Sequence, residues 1–168
     1  MATTNLSYFD PTQIPDVAEM RIGIVVSDWN PQITDNLLKG CLNALSECGA
    51  SLDRIHVINV PGSFELAIGA QLLIKSKSPN AVICLGSIIR GETPHFEIVS
   101  NACAQGIMEV GIKNNVPVIF GVLTDNNLEQ AIARSGGDMG NKGVEAAISA
   151  IKMVALSRGK DESWMLKF

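Results

Sequence analysis

The 168-residue chain carries a formal charge of −4 and a pI of about 5.1, a balance that speaks against nucleic acid and anionic membranes as partners. Charged residues make up 18% of it, against roughly 25% in a typical soluble domain. Mean hydropathy is +0.22, yet no apolar run approaches the ~20 residues of a membrane span. Such a chain is expected to bury surface against copies of itself, as a homo-oligomer.

Without internal repeats or linkers, residues 1–168 read as one domain, with a polar leader (1–20) and a C-terminal tail (157–168). The leader lacks the basic and apolar segments of a secretory signal. Cys41, Cys48, Cys84 and Cys103 form no Cys-x-x-Cys pair and lie in apolar patterns. They read as reduced packing thiols of a cytoplasmic protein.

From Arg21 onward, strands and helices alternate. Arg21–Ser27 is short, β-branched and apolar on both faces, as a buried parallel strand requires. Ile33, Leu37, Leu38, Cys41, Leu42 and Leu45 recur at helical spacing, and Gly49 suits a helix stop. Ile55–Val60 is the second strand, Phe64 to about Lys75 the second helix, and Ala81–Leu85 the third strand. A helix from about Pro94 to Asn114 turns Phe96, Val99, Cys103, Ile107 and Val110 inward. Val116–Leu123 is the fourth strand. Helices near Leu128–Arg134 and Lys142–Leu156, joined by a glycine-rich turn, complete the pattern. Right-handed βα crossovers then give a parallel sheet with helices on both faces, whose ligands bind beyond the carboxyl ends of the strands.

Those ends hold the candidate chemistry. After the first strand, Trp29 in Ser27-Asp28-Trp29-Asn30 offers a stacking face, or simply packs on its own domain. After the second, Gly62 permits a turn, Ser63 can cap the helix, and Glu65 complements the helix dipole or binds a polar substrate. After the third comes Gly86 to Phe96, with Thr93 as expected N-cap and Pro94 as first helical residue. Free amides there suit phosphate. His95 beside them is placed to move a proton, whereas His56, within a strand, reads as a packing or surface residue. Gly136 and Gly137 read as a helix stop and Asn141 as a helix start. Arg134 and Lys142 flank that turn as a phosphate-shaped fork and a point charge. Metal clusters, activated nucleophiles and Gly-x-Gly-x-x-Gly loops are missing from the sequence.

The segments Pro61-Gly62-Ser63-Phe64-Glu65, Ile89-Arg90-Gly91-Glu92-Thr93-Pro94-His95-Phe96, Phe120-Gly121-Val122-Leu123-Thr124 and Gly140-Asn141-Lys142-Gly143 closely resemble, in order and spacing, the signatures of the lumazine synthase family. The resemblance covers about residues 21–156. It implies a flavodoxin-like three-layer αβα sandwich on a four-stranded parallel sheet, and a cofactor-free transferase with its site between neighbouring subunits. The reaction condenses a ribitylaminouracil with a butanone phosphate toward riboflavin. By the same resemblance, Trp29, Ser63, Phe64, Glu65, Ser87, Ile88 and Ile89 bind the ribitylaminouracil, with Phe120 and Lys142 of the neighbour. Glu92, Thr93 and the neighbour's Arg134 hold the phosphate, and His95 transfers protons.

Family assemblies are pentamers, often twelve in a sixty-subunit shell that can enclose riboflavin synthase. The short Gly136–Lys142 turn resembles the shell-forming branch. Trp29 stands where phenylalanine is usual, and its larger face would also accept a flavin. Glu92 stands where several members have a small residue. Two alternatives keep the fold without the reaction: a flavin carrier and a catalytically lapsed shell protein. The first lacks a hydroxyl- and glycine-rich phosphate cradle after strand one. The second sits poorly with His95, Arg134 and Lys142 at their motif positions.

Overall fold

Strand β1 (Ile22–Ser27) is buried along its whole length, which explains why its sequence shows no polar alternation. It pairs in parallel with β2 (Ile55–Val60) on one side and β3 (Ala81–Ile89) on the other. Parallel pairing of β3 with β4 (Val118–Asp125) completes the order β2-β1-β3-β4. The structure is a computed structural model that describes Asn5 and residues 7–159. Most of the tail, residues 160–168, and leader residues 1–4 and 6 lie outside the described residues.

Alternate side chains of the sheet enter two cores, as the two-residue strand period requires. Ile22, Ile24, Val26, Ile83 and Leu85 join Leu37, Cys41 and Leu45 of α1 (Pro31–Glu47) and Ile151 and Val154 of α5 (Lys142–Ser157). On the opposite face, Val25, Val82 and Cys84 meet Leu66 and Leu73 of α2 (Leu66–Lys77) and Cys103, Ile107 and Val110 of α3 (His95–Asn114). The result is the expected flavodoxin-like three-layer α/β architecture. Cys41, Cys84 and Cys103 are buried, and all four cysteines are free thiols. Burial pushes the Cys41 thiol up to about 12 and Cys103 to about 11, so both stay protonated packing groups.

Several local expectations are corrected. Helix α3 starts at His95 with Pro94 as N-cap, and no side chain caps it, so neither Thr93 as cap nor Pro94 as first helical residue holds. Ser63 does not cap α2 either: it opens a short 3₁₀ turn, Ser63–Glu65, behind the extended Gly62. Instead of a plain helix stop, Gly136 and Gly137 form part of a small antiparallel ribbon, β5 (Ser135–Gly137) with β6 (Gly140–Asn141), after α4 (Leu128–Arg134). Asn141 does start α5, its side chain accepting from the Gly143 amide at 2.8 Å. The leader carries more structure than its polarity suggests. Val17 and Met20 are 1% and 2% exposed in the α1/α5 core. Ser7 Oγ accepts from the Asn141 amide at 2.6 Å, pinning the leader to the ribbon.

Among the described residues no helix is long and apolar enough to cross a membrane. Large side chains nonetheless face outward from the α2/α3 layer: Ile68, Leu72, Ile98, Met108 and Ile112 are all more than half exposed. A groove of about 490 Å³ runs beside them, lined by Met108, Ile112, Val116, Val118, Phe120 and Met153.

Candidate active site

The chain leaves β1 toward β2 on one side of the sheet and later reaches β3 on the other, so the order reverses between β1 and β3. Open α/β sheets bind ligands at that point. A cleft of about 510 Å³ lies there, lined by Trp29, Ser63, Phe64, Glu65, Ser87, Ile88, Ile89, Thr93 and His95, among others. Nine positions scattered through the sequence thus converge on one surface.

Backbone and side-chain ties fix the geometry of the cleft. The Asp28 and Trp29 amides donate to the carbonyls of Val60 and Pro61 at 2.8 and 3.2 Å, stitching the first loop to the end of β2. Asn30 adopts a left-handed conformation (φ 60), and its Nδ2 donates to the Ser87 carbonyl at 3.1 Å, bridging β1 to β3. Trp29 is 65% exposed, with its ring edge against Gly62. A Cβ at Gly62 would lie 2.8 Å from that ring, so glycine is required there by close approach of the indole. Glu65 Oε2 accepts from the Gly62 amide at 3.0 Å, setting the carboxylate at the cleft wall. Gly86 plays a comparable part below: a Cβ there would meet Ser63 Oγ at 2.6 Å and Ser27 Oγ at 3.3 Å. Its absence lets hydroxyls gather over β3, where Ser27 and Ser87 keep buried Oγ atoms without a protein partner.

The turn after β3 is held from behind. Arg90 lies 4.2 Å over the Phe96 ring, pairs with Glu97, and donates to Asn126 Oδ1 at 3.0 Å. Its hydrogen bond keeps the Glu97 carboxyl below the usual carboxylate range. Glu92 is exposed and outside the cleft lining. Among the described residues, no lysine or arginine lines this cleft.

The cations stand elsewhere. Arg134, Lys142 and Phe120 line a second cavity of about 540 Å³ against β4 and the ribbon. The structure therefore sorts the expected site residues into two surfaces of one chain, one with the stacking ring, hydroxyls and His95, the other with the positive charge. His56 is half-buried on edge strand β2, away from both sets of lining residues.

Sequence reasoning missed Glu145. Its Oε1 lies 3.0 Å from Arg134 Nη2 and its Oε2 3.0 Å from Lys142 Nζ. Its side chain is only 11% exposed, so this carboxylate is held largely out of water between both cations. Arg134 Nη1 also donates to the Met139 carbonyl at 2.9 Å, which fixes the fork in place. The available signal was the i, i+3 spacing of Lys142 and Glu145 in the first turn of α5. Among the described residues no cluster of histidine, cysteine and acids could hold a metal ion.

Residues 19–158 match the family model described as 6,7-dimethyl-8-ribityllumazine synthase. Proteins of that name from Cytophaga hutchinsonii and Parabacteroides distasonis are 51% and 49% identical, covering 92% and 94% of this chain and 96% and 99% of theirs. The Flavobacterium psychrophilum protein is 49% identical over 92% of this chain and 82% of its own. The chain belongs to the 6,7-dimethyl-8-ribityllumazine synthase family, and its activity is that family's transferase reaction in riboflavin biosynthesis.

Proposed function

We propose that the chain condenses 5-amino-6-(D-ribitylamino)uracil with 3,4-dihydroxy-2-butanone 4-phosphate in a site shared between two subunits. The observation that carries this reading is the division of labour on one chain: a cleft without lysine or arginine among the described residues, and a cationic pocket on another surface. Neither alone suits a flat uracil and a phosphate together. In the assembly, the cleft of one protomer faces the Arg134 pocket of its neighbour.

Trp29 stacks on the uracil, Ser63, Phe64 and Glu65 line its polar edge, and Ser87, Ile88 and Ile89 form the floor. The neighbour's Phe120 and Lys142 close over the ring. Its Arg134 clamps the phosphate beside the amides of Glu92 and Thr93. The uracil's 5-amino group attacks the ketone, and loss of water leaves an imine. Elimination of phosphate follows, then ring closure with loss of a second water. Because the amine–carbonyl step is intrinsically easy, most of the acceleration comes from holding two substrates together. His95, exposed at the cleft edge, relays protons in a position that solvent also reaches. Mixing both substrates with the protein should give lumazine fluorescence and stoichiometric phosphate. Failure to form lumazine, in a folded protein that binds both substrates, would remove the proposal.

The outward apolar face of α2 and α3 is the surface that assembly covers, and a pentamer completes five sites. The short ribbon after α4 suits twelve pentamers closing into a shell large enough to enclose riboflavin synthase. The free thiols fit a reducing compartment, the cytoplasm. Light scattering should return five or sixty times the 17.9 kDa subunit mass. A stable, active monomer contradicts the shared site.

A further inference from the structure

Asp125 is the last residue of β4, paired with Ile89 of β3, and its carbonyl accepts from the Arg90 amide at 2.9 Å. Asp125 lines the cationic cavity together with Arg134 and Lys142. Among the described residues Oδ2 is buried without a hydrogen-bond partner, as is Glu145 Oε1, but Glu145 lies 3.0 Å from each of the two pocket cations. The charged groups around Asp125 come from three directions. Arg134 approaches from α4, Lys142 and Glu145 belong to α5, and Arg90 behind the strand has its guanidinium committed to Glu97 and Asn126. With Asp125 and Glu145 both ionised, the two pocket cations are offset by two carboxylates. A fully ionised oxyanion entering there gains Arg134 but meets an uncompensated carboxylate in a poorly solvated wall, and like charges so placed repel strongly.

One proton removes the conflict. Carried by the phosphate, it can be donated to the free carboxylate; carried by Asp125, it can be donated to the phosphate. Phosphate monoesters lose their second proton near pH 6, so a bound phosphate has such a proton within reach, whereas sulfate has none at neutral pH. We propose that Asp125 makes this subsite selective for phosphate over sulfate, by sharing a single proton with the bound anion. The inference rests on the reading that Arg134 holds the substrate phosphate. Burial, which raises the Asp125 carboxyl above its ordinary range against the opposing pull of Arg134, favours a proton residing in this pair. Asp125 is thus a specificity residue of the known reaction, distinct from the cations that supply the attraction.

The test uses inorganic phosphate and sulfate as competitors of the butanone phosphate, with the assembled full-length enzyme from about pH 6 to about pH 8. Phosphate should inhibit about 10-fold or more better than sulfate in the wild type, and its advantage should shrink as rising pH strips the shared proton. In Asp125→Asn and Asp125→Ser, each checked for folding by circular dichroism and assembled mass, the preference should fall to within about 2-fold. Equal inhibition by both anions in the wild type overturns the proposal, and so does a preference that survives in both variants. If neither anion competes and Arg134→Ala leaves KM for the butanone phosphate unchanged, the assignment of the pocket to phosphate fails, and this inference with it.

Discussion

Arg134→Ala should raise KM for the butanone phosphate by about 10- to 150-fold, the range expected when charge-assisted hydrogen bonds worth roughly 1.5–3 kcal/mol are lost. The structure gives this number its basis. Nη1 is spent on the Met139 carbonyl at 2.9 Å and Nη2 on Glu145 at 3.0 Å, in a side chain only 18% exposed. The guanidinium is therefore positioned before substrate arrives, and little ordering remains to be done on binding. An effect on KM with smaller change in kcat is the signature of binding lost equally from ground and transition states. His95→Ala should cost about 10-fold or less in kcat, below the general range of acid–base catalysis, because His95 is exposed at the cleft edge where water can replace it. Glu145→Gln belongs with Arg134. It frees both cations from one carboxylate and should raise KM for both substrates, whereas loss of Arg134 affects chiefly the phosphate substrate. Steady-state assays varying each substrate in turn decide the ranking. Arg134→Ala and His95→Ala proving equally harmless would refute it.

How legible all this is in the sequence depends on the range of the interactions involved. Ile55–Val60 and Leu128–Arg134 are found where the pattern puts them, because hydrophobic period and flanking turn residues act locally. Strand β3 instead runs past Leu85 through Ile89. Gly86 and Ser87 look like loop residues, but β4 pairs alongside them as far as Ile89↔Asp125, and pairing with a distant strand leaves no local trace. The same holds at the start of α3, where Thr93-Pro94 has the composition of a cap without its hydrogen bond. Val17 and Met20 escaped notice because two apolar residues in a polar leader make no period. The site residues were named through motif resemblance, while their division between two cavities is a property of the fold. The sequence gives no sign of the parts of Glu145 and Asp125, because an acid in a cationic pocket shows its role only through the groups it faces.

Gly143→Ala should be the most damaging single methyl group in the molecule. Helix propensity alone argues the opposite way, since alanine in a helix interior is better than glycine by about 1 kcal/mol. At Gly143, in the first turn of α5, the added Cβ would lie 1.9 Å from the Leu37 carbonyl oxygen and 2.8 Å from its carbon. The obstacle is the backbone of α1, which cannot rotate aside as a side chain would. Relief requires α1 and α5 to separate along the contact that builds one of the two cores. Overpacking commonly costs 1–3 kcal/mol and sometimes more; against immovable backbone we expect about 3 kcal/mol or above, exceeding the propensity gain. For a domain of this size that corresponds to a fall in Tm of about 6 °C or more, read at fixed protein concentration because any self-association would also stabilise. Gly91→Ala is the control, with nothing within 4 Å of its added Cβ and no positive φ, and it should leave Tm nearly unchanged. The damage reaches function as well, since Lys142 and Glu145 ride on the same helical turn and would shift with it. Variant protein that does fold should therefore bind the ribitylaminouracil more weakly. A Gly143→Ala protein with unaltered Tm and KM would show that α5 does not need this close approach, and that the glycine of the Asn141-Lys142-Gly143 motif answers to something other than packing.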